Sequence, residues 1–306
     1  MKKISVILTT YNSEKYIQRT LDSILNQQGL NEEFTLELIV VDDCSTDNTT
    51  TILRKNNINF ISTGHNSGGP NKGRNIGLEK ATGDYICIMD HDDEWMPHKT
   101  TTQLSFCGLS PIITSGFTVI NSSSQAKLEF RSKPTTSLGY NKYTENETFL
   151  KLLSKDKKGQ LTYLGCILFD KSLKNIYFEE STGMLDFDWV LKLYKDNNSI
   201  EVCDSLYNRY IMGNNLSFDK SYRIKDYQYS LLTIEKYRKE YPHETTLGSK
   251  RVNGTMARYY YYIGEMKEAR SYFEKSSCSI KTLLFYLTTF YGHRFIKRKF
   301  PIFSHK

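Results

Sequence analysis

Polar side chains gather at the ends of apolar segments in the early part of this 306-residue chain. Thr9 and Tyr11 follow the first such segment, Asp42 and Asp43 follow the second, and Asp90 follows a later one. Carboxylates clustered at the end of a buried strand repel one another, so they need hydrogen bonds or a cation beside them. These positions are therefore the first candidates for a binding or catalytic site.

The sequence D-H-D-D offers the carboxylates of Asp90, Asp92 and Asp93 to a divalent cation. Mg²⁺ and Mn²⁺ prefer oxygen ligands, and Mg²⁺ is often held by one or two carboxylates together with substrate phosphates. His91 does not indicate zinc, because no second His or Cys lies at a ligand spacing nearby. A D-x-D-D motif taken alone is also typical of a solvated turn or a helix cap.

A glycine-rich stretch over residues 64–77 contains Lys72 and Arg74 and leads into a predicted helix. Backbone N–H groups and two cations in such a loop can approach a phosphate group. The spacing is that of neither a P-loop nor a G-x-G-x-x-G turn directly after a strand. The stretch alone therefore does not establish phosphate binding.

Two further carboxylates, Asp186 and Asp188, precede Trp189 at the start of a helix predicted over residues 186–195. Carboxylates at a helix N-terminus stabilise the helix dipole. One of them could instead act as a general base, which requires a carboxylate that points into the acceptor cleft. The residues alone leave both interpretations open.

The segments that must position these residues alternate between two kinds. Apolar, β-branched runs predict strands over residues 4–9, 36–41, 59–62, 85–89 and 112–120. The stretches between them predict helices over residues 14–27, 47–56, 71–81 and 99–106. This alternation predicts an α/β fold with a mostly parallel sheet covered on both faces. Ligands bind such sheets beyond the carboxyl ends of the strands, where the polar positions lie.

The rest of the chain is less regular and then becomes helical. Residues 121–218, with a strand predicted over residues 161–169, are interpreted as the second half of a unit that begins with residues 1–120. Residues 219–306 are predicted to form a helical extension. This extension contains 18 basic and 8 acidic side chains, against a net charge of +7 for the whole chain. The basic character therefore belongs to the extension.

The composition, with 39% hydrophobic and 25% charged residues, is that of an ordinary globular protein. Six cysteines without a C-x-x-C pair are typical of reduced core cysteines, which indicates a cytoplasmic protein. No apolar run is long enough to span a bilayer. The basic C-terminus contains no recognised nucleic-acid-binding module, so no nucleic-acid partner is predicted.

Four segments in order along residues 4–97 together resemble the signature of glycosyltransferase family 2. They are ISVILTTYN at 4–12, IVVDDCSTD at 39–47, KGRNIG at 72–77 and IMDHDDEWMP at 88–97. The resemblance implies a GT-A nucleotide-diphospho-sugar transferase fold and inverting transfer from a nucleoside-diphosphate sugar, with a UDP-sugar expected. It further implies Mn²⁺ or Mg²⁺ as cofactor, and a saccharide or lipid-linked acceptor in cell-envelope polysaccharide synthesis.

The resemblance also implies roles for individual residues. Residues 1–120 become the nucleotide-sugar-binding half and residues 121–218 the acceptor-binding half. The donor-binding residues are Thr9, Tyr11, Asp42 and Asp43 at the nucleoside, Lys72 or Arg74 at the base or diphosphate, and Asp90 near the ribose. Asp92 holds the metal, with Asp90 and Asp93 as the neighbouring carboxylates of the predicted metal set.

The sequence departs from the family pattern at two places. The Glu-Asp pair of the family appears here as Leu185-Asp186, so Asp186 is the first choice for the general base and Asp188 the second. Met212 occupies the position of a family histidine. The alternative function is therefore a nucleotide-sugar-binding protein that has lost catalysis. A nucleotidyltransferase is excluded, because the glycine-rich, Arg-containing loop that it needs after the first strand is absent.

Residues 283–306 combine many apolar side chains with basic ones and contain no acidic residue. A segment too short and too charged to span a bilayer can lie in the membrane interface, with its basic residues attracted to anionic lipid. We therefore expect peripheral contact with the inner face of the cytoplasmic membrane. The alternative is a last helix packed on its own domain with a solvated basic end.

Overall fold

The computed structural model describes residues 1–135, 137–156, 159–211 and 220–291. The chain divides into two compact units, one formed by Met1–Phe149 and Gln160–Asn215 and the other by Leu150–Gly159 and Leu216–Lys306. The assignment of separate donor and acceptor halves within the first unit stays a prediction.

A ten-stranded sheet forms the centre of the first unit. Its strands are β1 (Lys2–Thr10), β2 (Phe34–Asp42), β3 (Phe60–Ser62), β4 (Tyr85–Asp90), β5 (Glu94–Trp95), β6 (Ile112–Asn121), β7 (Lys127–Phe130), β8 (Tyr140–Tyr143), β9 (Leu168–Asp170) and β10 (Ser199–Ile211). Their order is β3-β2-β1-β4-β9-β6-β10-β5, with β7 paired to β6 and β8 paired to β10. The strands from β3 to β4 are mutually parallel, which confirms the predicted α/β sheet.

Helices occupy the segments between these strands. They are α1 (Ile17–Leu25), α2 (Thr49–Lys55), α3 (Pro70–Lys80), α4 (Lys99–Leu104), α5 (Glu147–Leu153) and α6 (Phe187–Tyr194). Ile17, Leu21 and Ile24 recur on one face of α1 and are buried in the same core as the apolar residues of β1. Gly73 and Gly77 let α3 approach β1, because a Cβ at residue 77 would lie 2.3 Å from the Ile7 side chain.

Parallel pairing brings the polar residues after the strands to one edge of the sheet. Thr10 pairs with Asp42 on β2, and Thr9 pairs with Asp90 on β4. Strand β1 is buried from Ile4 to Thr10, as expected for a strand covered on both faces. The predicted donor and metal residues therefore begin from a shared edge of the sheet.

The strand predicted over residues 161–169 is wrong over most of its length. A 3₁₀ turn, Leu164–Cys166, replaces its middle, and only the short β9 follows. Within this turn the ring of Tyr207 packs directly against Gly165 and leaves no room for a side chain there. Strand β10 was not predicted. Two register shifts and its polar residues interrupt the alternation of apolar and polar residues that indicates a strand.

The second unit is helical over its described residues 220–291, as predicted. It contains α7 (Lys220–Glu235), α8 (Pro242–Ile263), α9 (Met266–Glu274) and α10 (Ile280–Thr288), followed by a 3₁₀ turn at Thr289–Tyr291. Pro242 opens α8 at a position where its missing N–H is not needed, and Gly264 ends it in the left-handed conformation. Among the described residues no helix is both long and apolar enough to cross a membrane.

Candidate active site

Asp42 closes the turn after β2. It is buried, and its carboxylate accepts hydrogen bonds from the Thr10 hydroxyl at 2.9 Å, the Ser45 hydroxyl at 2.6 Å and the Ser45 backbone N–H at 2.9 Å. These donors satisfy the carboxylate from within the protein. They also join the ends of β1 and β2, and the donor-binding role of Asp42 stays a prediction.

Asp43 joins two loops beside the end of β1. Its carboxylate accepts from the Thr63 hydroxyl at 2.8 Å, and the backbone N–H of Ser67 lies 3.0 Å from each carboxylate oxygen. The ammonium of Lys72 donates to the Thr63 carbonyl at 3.1 Å. Next to this network, a pocket is lined by His65, Asn66, Ser67, Gly69, Lys72, Glu180 and Gly183.

Thr9 and Tyr11 flank this region on the β1 side. Thr9 is buried, and α3 packs so closely on it that a Cβ at Gly73 would lie 2.9 Å from the Thr9 methyl group. Tyr11 is exposed and is free to contact a ligand. Tyr11 and Lys72 are thus the predicted donor residues with the clearest access to this region, whereas Asp43 is buried beside it.

Arg74 is paired with Asp90 rather than exposed to solvent. Its guanidinium donates to the Asp90 carboxylate at 2.9 Å and to the Asn71 side-chain carbonyl at 3.1 Å, and it lies over the ring of Phe178. Arg74 is buried, whereas Asp90 is partly exposed. The pair fixes the Asp90 carboxylate at the end of β4.

Asp92 differs from its acidic neighbours because its carboxylate accepts no hydrogen bond from another of the described residues. Its backbone carbonyl accepts from the Arg19 guanidinium, which stacks 3.5 Å from the ring centroid of Tyr210. Burial and the adjacent charge of Asp90 raise the pKa of Asp92 above its usual range, although nearby His91 lowers it. A bound cation would relieve this unfavourable charge.

Asp93 points into the core of the unit. Its carboxylate accepts from the hydroxyls of Tyr163 at 3.0 Å and Tyr207 at 2.9 Å, and from the backbone N–H of Tyr210 at 2.8 Å. Burial, with Asp92 and Asp90 nearby, raises the pKa of Asp93 well above its usual range. Three donors already surround it, so Asp93 anchors the turn to β10 and has no open side for a ligand.

With the Asp93 carboxylate already bound, a metal site would depend on Asp90 and Asp92. Within the described part of the chain, no three His, Cys, Asp or Glu side chains are grouped to hold an ion. Asp90 and Asp92 nevertheless provide two carboxylates on one turn, one of them free of hydrogen bonds from other described residues. That number matches a hard cation that takes its other oxygen ligands from water and substrate phosphates.

The two candidate bases lie at the start of α6 in different surroundings. Asp188 is buried and pairs with the ammonium of Lys192 at 2.6 Å. Asp186 is partly exposed at the N-cap of α6. The loop before it is held on α3, because the Asn71 side chain donates to the Leu185 carbonyl at 3.1 Å and the Gly183 carbonyl accepts from the Asn71 N–H at 3.0 Å. Asp186 is therefore the more accessible carboxylate.

Several residues around the site were not predicted from the sequence. Asn71 locks the loop before α6, Arg19 and Tyr210 hold the turn at Asp92, and Tyr163 and Tyr207 bind Asp93. Their contacts join segments that are distant in sequence, so no local pattern predicts these contacts. Met212 lies outside the described residues.

The packing of Tyr207 on Gly165 supports a stability prediction. A Cβ at residue 165 would lie 2.3 Å from the ring carbon Cζ and 2.4 Å from the hydroxyl that binds Asp93. Gly165→Ala is therefore expected to lower the free energy of unfolding by about 1–3 kcal/mol, as overpacking does. Urea unfolding measures this change.

Gly254→Ala is the matched control for this measurement. Its Cβ would meet nothing closer than 3.4 Å, and Ala in the interior of α8 is expected to raise stability by up to about 1 kcal/mol. Equal stability of Gly165→Ala and the wild type would contradict the tight contact at Tyr207.

Comparison with known proteins finds relatives that match about a third of the chain. Poly(ribitol-phosphate) beta-N-acetylglucosaminyltransferase TarS of Staphylococcus aureus is 46% identical over 97 residues, which are 30% of this chain and 17% of TarS. The putative teichuronic acid biosynthesis glycosyltransferase TuaG of Bacillus subtilis is 39% identical over 108 residues, which are 34% of this chain and 41% of TuaG. The matched segments thus span less than half of either relative.

Solved structures are similar over most of the chain. The structure of Staphylococcus aureus TarS in complex with UDP-GlcNAc has a TM-score of 0.64 at 24% identity and covers 89% of this chain and 79% of its own. The mannosyltransferase PcManGT of Pyrobaculum calidifontis, in complex with GDP-Man and Mn²⁺, has a TM-score of 0.58 at 16% identity. The match covers 94% of this chain and 79% of the PcManGT chain. These likenesses confirm the predicted GT-A fold. The family model Glycosyl transferase family 2 matches residues 5–172, more than half of the chain, so the chain belongs to this family.

Proposed function

We propose that this protein transfers a sugar from a nucleoside-diphosphate donor to a hydroxyl group of a saccharide or lipid-linked acceptor in cell-envelope polysaccharide synthesis. The observation that carries the proposal is Asp92, a partly exposed carboxylate with no hydrogen bond from another described residue, on the turn after β4. The pocket beside Asp43 and Lys72 lies at the same edge of the sheet. The names of TarS and TuaG support envelope polysaccharide as the setting.

We propose a UDP-sugar as the first donor to test, since the TarS structure is a complex with UDP-GlcNAc. Asp43 would orient the two loops around the nucleoside, with the exposed Tyr11 ring beside it. Lys72, whose ammonium has only a carbonyl and a His65 nitrogen as described partners, provides positive charge for the base or diphosphate.

The proposed metal ligands are Asp92 and Asp90, with Mn²⁺ or Mg²⁺ as the ion; Asp93 leaves the predicted set because its carboxylate is already bound by three donors. When bound, the ion supplies positive charge that stabilises the departing diphosphate. Arg74 keeps one oxygen of Asp90 in place, and Arg19 keeps the backbone of Asp92 in place. Contacts from Arg74 and Arg19 thus fix the turn that carries both proposed ligands.

Asp186 is proposed as the general base. The acceptor hydroxyl attacks the anomeric carbon, the new C–O bond forms as the bond to the diphosphate breaks, and the hydroxyl proton passes to Asp186. Direct displacement inverts the anomeric centre. A retaining double displacement needs a carboxylate nucleophile, and no described residue suggests one.

Release of the free nucleoside diphosphate tests this function. A panel of UDP-, GDP- and dTDP-sugars is incubated with the protein and Mn²⁺, with and without a mixture of envelope saccharides. We expect release with at least one donor and faster release when acceptor is present. Tight donor binding without release by any donor would favour the alternative, a nucleotide-sugar-binding protein that has lost catalysis.

Peripheral membrane contact is a second proposal, based on the surface of α10. Ile280, Leu283, Leu284 and Leu287 lie on this helix with 82%, 51%, 48% and 48% of their surfaces exposed. Residues 281–306 contain six Lys or Arg and no acid, which suits an anionic lipid surface. The part of the predicted segment beyond residue 291 lies outside the described residues.

The variant Leu283→Glu/Leu287→Glu is expected to abolish binding to phosphatidylglycerol vesicles, because it puts two acids on the face that contacts anionic lipid. Vesicle sedimentation at low and high salt measures this binding. Leu232→Glu is the matched control, since Leu232 is an exposed leucine on α7. Failure of the wild type to sediment at low salt would instead favour a structural role for the tail.

A further inference from the structure

A row of aromatic rings leads from the surface of the sheet towards the Asp90–Asp93 turn. Phe130 on the edge strand β7 is directly opposite Phe117 on β6, and their rings stack with centroids 5.0 Å apart at 15°. Phe117 also lies against Tyr163, with centroids 5.0 Å apart. Phe130 keeps 38% of its surface exposed. One end of the row is therefore open to solvent.

The other end of the row reaches the candidate reaction centre. The Tyr163 hydroxyl donates to Asp93, the residue that follows the proposed metal ligand Asp92. The guanidinium of Arg209 lies 5.0 Å from the Tyr163 ring centroid and has no hydrogen-bond acceptor among the described residues. The row thus extends from the exposed Phe130 ring to the guanidinium of Arg209, an available hydrogen-bond donor, and to the proposed reaction centre at the Asp90–Asp93 turn.

This combination suits a sugar ring. A pyranose presents C–H groups on its faces and hydroxyl groups around its edge, so it can pack on an aromatic face while its hydroxyls accept hydrogen bonds. Ligand sites typically join apolar and aromatic walls to a few well-placed polar groups. All four residues of β7 are exposed, so this aromatic face is accessible to a ligand.

The position within the sheet favours the acceptor over the donor. The proposed donor residues follow β1, β2 and β3, whereas Phe117 and Phe130 belong to β6 and β7, which lie beyond β4 and β9 in the strand order. The Asp90–Asp93 turn follows β4, between these two groups of strands. We propose that the exposed ring of Phe130, supported by Phe117, binds a sugar ring of the saccharide acceptor, with Arg209 as a donor to the acceptor's hydroxyls, an inference that rests on the proposed transferase function.

The test compares Phe130→Ala with Phe130→Tyr, which retains the ring, and with Leu109→Ala, an exposed leucine elsewhere in the unit. Phe130→Ala is expected to raise the KM for the acceptor about tenfold, in line with the strength of aromatic stacking. Its kcat and its hydrolysis of the donor without acceptor should stay near the wild-type values. Phe130→Tyr should restore the KM, and Leu109→Ala should not change it.

A second readout does not depend on turnover. The same variants are applied to an array of oligosaccharides of two to four sugars, chosen from glucose, galactose, N-acetylglucosamine and rhamnose units. The wild type and Phe130→Tyr are expected to bind at least one oligosaccharide that Phe130→Ala fails to bind. An unchanged acceptor KM in Phe130→Ala, or no ring-dependent binding on the array, would overturn the proposal. Ring-dependent binding without donor release would instead overturn only the transferase function.

Discussion

The Asp92→Asn variant is expected to lose sugar transfer by roughly 10³-fold or more, because a metal contributes several kcal/mol of charge stabilisation and each 1.36 kcal/mol is a factor of ten. Asn keeps the shape of the side chain but removes the negative charge that a cation needs. Metal-dependent binding of UDP should disappear at the same time. Initial transfer rates and calorimetric titration with UDP, each with and without Mn²⁺, measure the two effects.

Asp196→Asn is the matched control for this variant. Asp196 lies in the same unit, and its side chain is largely exposed beside Lys195. The same substitution there should leave transfer and UDP binding unchanged. Wild-type activity of Asp92→Asn in excess chelator would contradict a metal role for Asp92.

The Asp186→Asn variant is expected to lower kcat by roughly 10²- to 10⁴-fold, the usual contribution of general-base catalysis. Donor binding should stay near normal, because Asp186 acts on the acceptor hydroxyl and not on the nucleotide. The fall of kcat at low pH, which reflects protonation of the base, should also vanish from the pH profile. Stopped-time transfer assays over a pH series and UDP-sugar titration measure these quantities.

Asp188→Asn provides the comparison two residues along the same helix. Asp188 is buried and paired with Lys192, so its replacement is expected to lower the unfolding midpoint while kcat falls much less than in Asp186→Asn. A large loss of kcat in Asp188→Asn, with Asp186→Asn nearly as active as the wild type, would move the base to Asp188.

The sheet could be predicted because its central strands are continuous apolar runs bounded by polar residues. Strand β1 is buried along nearly its whole length, and the segments that pair with it have the same β-branched composition. Strand β10 could not be predicted, since its register shifts remove the regular alternation on which prediction depends. The close packing at Gly165 was missed because the ring that contacts it, Tyr207, comes from a strand that is distant in sequence.

The acidic turn shows what the sequence could and could not predict about the site. The position of the turn could be predicted because it follows an apolar strand. The family resemblance then identified Asp92 as the metal ligand. The difference between Asp92 and Asp93 depends on the hydroxyls of Tyr163 and Tyr207, which lie 70 and 114 residues away along the chain. Likewise, the pairing of Arg74 with Asp90 is a tertiary contact that spacing does not show.

Mass spectrometry of the acceptor shows directly whether this chain transfers a sugar. The purified 306-residue chain is incubated with the sugar nucleotide from which it releases diphosphate, a saccharide or lipid-linked acceptor, and Mn²⁺. We expect an acceptor heavier by one sugar residue, with none formed when the ion is chelated or when Asp92→Asn replaces the wild type. Donor consumption that yields only the free sugar with every acceptor, or an equal yield of product from Asp92→Asn, would contradict this expectation.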